Sequence, residues 1–129
     1  MARSERFEDI AAWQKARELT REVYLATGSE AFRGEPLVRD QLRRACLEIV
    51  SDIADGSERA DSDEFRLLLT PARGSAGEVR ALLSVAYDIG LLDERQFTRL
   101  HALATETTQT ISGFMRYLES SEHKGGKLK

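Results

Sequence analysis

The amino-acid sequence predicts an all-α protein, an antiparallel up-down-up-down four-helix bundle. Four stretches carry apolar residues at recurring three- and four-residue steps, the spacing that paints one face of a helix. Both later connections are short, which favours antiparallel neighbours. No stretch shows the alternation of a strand, and no internal repeat is present. At 129 residues the chain reads as one domain, long enough to bury a core without disulfide or metal staples.

The first helix is expected over residues 7–26, where Ile10, Trp13, Ala16, Leu19 and Val23 share a face and place Trp13 in the core. Thr27-Gly28-Ser29 ends it, and a loop follows to Glu35. Pro36 opens the second helix, 36–55, because its missing amide costs nothing in a first turn. Its main stripe is Leu42, Ala45, Cys46, Ile49 and Ile53, with Gly56 just past the end. Leu47, Val50 and Ala54 lie roughly 80–140° away at 100° per residue, which predicts a second buried contact for this helix.

The third helix, 62–89, begins at Asp61-Ser62, where Asp61 and Glu64 resemble a capping box. Phe65, Leu68, Leu69, Ala72, Val79, Leu82 and Ala86 keep helical phase through it. Pro71 falls inside, and the unbroken phase predicts a kink rather than a break. Gly90 stops the helix, and Asp93 with Gln96 caps the fourth, 94–119. Residues 120–129 read as a flexible polar tail.

Charged residues are 32% and hydrophobic residues 41% of the chain, with only two prolines, a soluble helical composition rather than a disordered one. The net charge of −3 gives no global attraction for nucleic acid or anionic lipid, so such contact needs a local patch. Cys46 is the single cysteine, which forbids an intrachain disulfide and fits a reducing compartment. The stretch MARSERFEDI lacks the apolar core of a secretory signal, and no apolar run approaches the ~18 residues of a membrane span. A cytoplasmic address without membrane contact is expected.

Candidate functional residues fall in three groups. Asp52 and Asp55 sit on the last turn of the second helix, where carboxylates oppose the helix dipole and call for compensation. Arg39, Arg43 and Arg44 cluster on its first half, and Arg59, Arg66, Arg73 and Arg80 repeat every seven residues, so the last three share a stripe on a continuous helix. Arginine forks fit phosphate, a solvated ionic face or the aspartates of another subunit. Gly74, Ser75, Ala76 and Gly77 gather small residues where glycines each cost about 1 kcal/mol, which fits close approach of another helix, with Glu78 beside it. Neither His101 nor His123 has an acidic residue three positions before it, and no zinc spacing, phosphate loop or nucleophile elbow occurs. No cofactor is expected.

The stretch QLRRACLEIVSDIADG (Gln41–Gly56) resembles the signature helix of the 23S rRNA intervening-sequence proteins. Phe7-Glu8-Asp9-Ile10 with Trp13-Gln14-Lys15-Ala16, and Ala72-Arg73-Gly74-Ser75 with Glu78, extend the likeness over most of the chain. Asp52 stands where the family pattern has asparagine, and Asp55 where it has glutamate. The resemblance implies a left-handed bundle and ring-like homo-oligomers, the best known being pentamers. It also implies kinship with accessory factors of diversity-generating retroelements, strongly basic pentamers that bind nucleic acid and a reverse transcriptase. The expectation is therefore a non-enzymatic homo-oligomeric scaffold whose partners are further copies of itself, with RNA contact as an open option. The alternatives are an accessory factor for a protein such as a reverse transcriptase and, with least support, a hydrolase using Asp52, Asp55 and Glu78.

Overall fold

A computed structural model describes residues 6–59 and 61–125. A short 3-10 turn, Phe7–Asp9, leads into α1 (Ala11–Thr27), α2 (Glu30–Arg33), α3 (Pro36–Ser57), α4 (Ser62–Asp88) and α5 (Glu94–Gly125). The four long helices form an antiparallel bundle in which α3 packs on α4, α4 on α5, and α1 closes the assembly against α3 and α5. No helix among the described residues is long and apolar enough to cross a membrane.

The helix starts follow their local chemistry. The Asp61 carboxylate accepts from the Asp63 amide at 2.9 Å. At α5 the capping box is complete, with Gln96 N donating to Asp93 Oδ1 at 2.7 Å and Asp93 N to Gln96 Oε1 at 3.0 Å. Gly90 takes the one positive φ among the described residues, 84°, and ends α4 as expected. The helix runs without a break through Pro71, which lies on its exposed side.

Five readings of the sequence are corrected in detail. The expected first helix is divided, because Ile10 is extended (φ −81°, ψ 125°) and separates the 3-10 turn from α1. The expected loop before Pro36 contains α2, whose Phe32 is fully buried. Trp13 stands at the rim of the core, in edge contact with Phe7 at 5.1 Å, because Ala12 and Ala16 hold the buried stripe one residue away. In α4 the core takes Ala76 and Leu83, while Leu82 packs at its edge. The last helix continues past 119 to Gly125, while 126–129 of the expected tail lie outside the described residues.

Gly56 has a role that its place near a helix end concealed. It lies within the last turn of α3 and is buried. A Cβ built on it would overlap the Phe65 ring, with Cε1 only 2.8 Å away. The missing side chain therefore lets Phe65, itself fully buried, seal the α3–α4 end of the core, where its ring also meets Phe114 of α5 edge-on at 5.2 Å.

Candidate functional site

The carboxylates of α3 sit on its α4-facing edge. Ser75 Oγ of α4 donates to Glu48 Oε1 at 3.3 Å, which fixes that edge. Asp52 and Asp55 follow Glu48 by four and seven residues, so the three stack along one flank. Asp55 pairs with Arg59 at 3.4 Å. Partial burial pushes the Asp52 carboxyl above its ordinary range, and the charges of Glu48 and Asp55 push it the same way. Negative charge is thus concentrated at the C-terminal half of a helix, where the dipole already disfavours it.

The arginines divide into those the fold uses and those it displays. Arg43 belongs to the α1–α3 junction: its Nε donates to Thr27 Oγ1 at 2.9 Å, its Nη2 to the Tyr24 carbonyl at 3.4 Å, and its guanidinium lies 4.4 Å from the centre of the Tyr24 ring. A cation bonded to the last turn of α1 also suits that helix dipole. Arg39 is half-buried and pairs with Asp40 at 2.9 Å, while Arg44 is exposed. On α4, Arg73 Nη1 donates to Ser112 Oγ of α5 at 3.3 Å, which places the heptad stripe on the flank toward α5. Arg66, seven residues earlier, is bonded to Asp63. Arg80, seven residues later, keeps a buried Nε that has no hydrogen-bond partner among the described residues.

Between these flanks runs the outer ridge of α4. Leu67, Pro71, Gly74, Glu78, Ala81 and Val85 recur at alternating steps of four and three, the spacing of a coiled-coil seam. All six are exposed, Leu67 to 63% and Val85 to 44%. A Cβ at Gly74 would meet nothing within 4 Å. Ser75 and Gly77 flank the ridge, half-buried, and Ala76 faces the core. Sequence reasoning singled out the small residues but missed the seam. Its signal was the second four-three pattern, hidden beneath the stronger apolar period of the core face.

The surplus apolar width of α3 is explained in large part by its two neighbours. Val50 packs against the core edge and Ala54 is half-buried, since α3 contacts both α1 and α4. Leu47 remains 46% exposed. Cys46 is fully buried, and burial pushes its thiol up to about 12, with a hydrogen bond to Thr20 acting weakly the other way. His101 packs against Phe97 with ring centres 5.2 Å apart. Among the described residues no group of three His, Cys, Asp or Glu side chains is placed to hold a metal ion.

Four long helices packed antiparallel, with charged and small residues sorted over their outer surfaces, define a small all-α helical-bundle protein. The chain belongs to the 23S rRNA-intervening sequence protein family, whose profile matches residues 8–113. It is also similar in fold to a crystal structure of a protein of unknown function from the S23 ribosomal protein family of Bacteroides thetaiotaomicron VPI-5482. The TM-score is 0.74 at 18% identity over 81% of this chain and 98% of that one. No curated protein matches.

Proposed function

We propose that the protein is a non-enzymatic scaffold that works as a homo-oligomer, a ring of five in the manner its family resemblance implies, assembled through the outer ridge of α4. The observation that carries this reading is the ridge itself: an exposed four-three seam with Leu67 and Val85 at its ends and open space over Gly74. An isolated helix face gains nothing from apolar residues on such a period, whereas a packed partner helix buries them. Glycine in a helix costs about 1 kcal/mol relative to alanine, and close approach of a second backbone offsets that cost. Of the three candidate hydrolytic side chains, Asp55 pairs with Arg59 and Glu78 stands exposed on the α4 ridge, while Asp52 lies on α3 beside Glu48 and Asp55.

The test is particle mass by light scattering. The wild-type protein is expected at a multiple of the 14.5 kDa protomer, and Val85→Glu, which places a charge on the exposed ridge, is expected at lower mass with unchanged helicity. A wild type that stays at protomer mass at every concentration contradicts the reading.

Contact with RNA is a second reading with one observation in its favour, the shared flank of Arg66, Arg73 and Arg80. Binding to structured RNA that falls steeply with salt, and that Arg44→Glu with Arg73→Glu removes, supports it. The partner of an accessory factor would dock on the same assembled surface.

A further inference from the structure

The groove between α4 and α5 carries arginines that the protomer leaves without counter-charge. Arg73 reaches across it from α4, its Nη1 donating to Ser112 Oγ of α5 at 3.3 Å. Arg80 of α4 and Arg116 of α5 instead lie back over their own helices. Arg80 Nη2 stands 3.5 Å from the place a Cβ would take on Gly77, and Arg116 Nη2 stands 3.7 Å from that place on Gly113. Both are Gly-x-x-Arg pairs, GEVR at 77–80 and GFMR at 113–116. A bare glycine three residues before an arginine shares its face and lets the guanidinium settle against the helix. Less side-chain freedom is then lost when the fork is engaged.

The protomer supplies no anion for these forks. Among the described residues no carboxylate pairs with Arg73, Arg80 or Arg116, and Arg80 Nε is buried without a hydrogen-bond partner. Glu78 is exposed on the ridge, and Glu106 is bonded to Lys15 of α1 at 3.0 Å. Arg66, at the far end of the same flank, is already bonded to Asp63.

The heights of the three cations form a helical register. Arg73 is level with Ser112, and α4 and α5 run in opposite directions. Arg116, four residues past Ser112, is therefore level with Leu69. Counted along α4 the cations stand at Leu69, Arg73 and Arg80, steps of four and seven residues, or about 6 and 10.5 Å. Carboxylates at i, i+4 and i+11 of another helix repeat those steps and lie within about 40° of one face. The next heptad step along α4 reaches Tyr87, which is 38% exposed and stacked on Phe97 with ring centres 4.7 Å apart. Position i+18 of the incoming helix falls there on the same face, and an apolar side chain at it packs on the aromatic pair. Phosphates fit this register poorly. A duplex carries a charge about every 1.7 Å, roughly six between the levels of Arg73 and Arg80, and the net charge of −3 opposes its approach.

We infer that the α4–α5 groove docks an acidic amphipathic helix of a different protein, with its carboxylates on Arg116, Arg73 and Arg80 and an apolar residue on Tyr87 and Phe97. The groove lies one residue step, about 100°, round α4 from the outer ridge. The site is therefore separate from the assembly surface, and the inference does not rest on the scaffold reading.

Synthetic helical peptides test the inference on the intact chain. One carries glutamate at i, i+4 and i+11 and leucine at i+18 on a background of alanine and glutamine. Its control has the same composition with the glutamates spread round the helix. By fluorescence anisotropy at low salt the matched peptide is expected to bind about tenfold or more tightly than the control. Arg73→Glu with Arg80→Glu is expected to remove that difference while helicity and particle mass stay as in the wild type. Gly113→Leu, which displaces the Arg116 guanidinium from its rest, is expected to weaken the matched peptide too, and it replaces the double variant should that fail to fold. Equal affinity for the two peptides overturns the inference. A lower particle mass in Arg73→Glu with Arg80→Glu overturns it by assigning the arginines to assembly. Structured RNA that binds more tightly than the matched peptide, and is lost in the same variant, overturns it in favour of phosphate.

Discussion

Gly56 and Gly74 are both helical glycines in motif-bearing stretches, and they lack a side chain for different reasons. At Gly56 the place of the Cβ is taken by the Phe65 ring of the same chain. At Gly74 that place is open. The first glycine completes the protomer, and the second, on this account, waits for another protomer. A glycine that costs helix stability therefore has to be read by asking what occupies its missing volume, inside the chain or outside it.

The largest effect that would break this contrast lies at the closed end. Phe65→Ala empties the space Gly56 was kept bare for and is expected to cost about 3–5 kcal/mol of unfolding free energy, measured by urea titration. Next, Gly56→Val forces a side chain into the ring and is expected to cost about 1–3 kcal/mol, read as a lower denaturation midpoint. Gly74→Ala has the opposite sign. On the dissociated protomer it is expected to stabilise by up to about 1 kcal/mol, because the site is open and alanine is the better helix former. A loss of stability there would mean the ridge is occupied within the protomer.

The acidic flank sharpens the contrast through pH. Burial and neighbouring carboxylates raise the Asp52 pKa in the folded chain, so the folded state holds this proton more tightly than the unfolded one. Ionised Asp52 therefore destabilises the protomer at neutral pH, and the penalty disappears as pH falls through the raised folded value toward the ordinary carboxylate range. Asp52→Asn should raise the melting temperature of the dissociated protomer at pH 7 and leave it unchanged near pH 3. The smallest effect concerns Cys46, whose thiol stays protonated at pH 8. Native protein should resist iodoacetamide, with alkylation appearing only as the chain unfolds.

Much of the architecture was legible because its signals are local. The four-three apolar steps marked all four long helices, and the Asp93–Gln96 capping box sits where the sequence placed it. Phe32 was not legible, since a four-residue helix is too short to show a period. Trp13 was misplaced because its phase puts it beside the stripe of Ala12 and Ala16, and only packing reveals which phase is buried. The candidate site divides in the same way. The heptad spacing of Arg66, Arg73 and Arg80 gave their shared flank, and Ser112 on α5 then showed which flank that is. Arg43 read as a surface arginine because its partners, Tyr24 and Thr27, lie on another helix at distances no spacing encodes. The outer ridge went unread because Pro71 and Glu78 interrupt it and a stronger period shares its helix.

The central claim is that the outer ridge of α4 is a surface for another copy of the chain. The most direct measurement is the mass of wild type and Gly74→Leu side by side in multi-angle light scattering, with circular dichroism on the same samples. The account predicts a wild-type oligomer and a helical Gly74→Leu protein of lower mass, since leucine has free space in the protomer and none against a close partner helix. An oligomer whose mass Gly74→Leu leaves unchanged would contradict it.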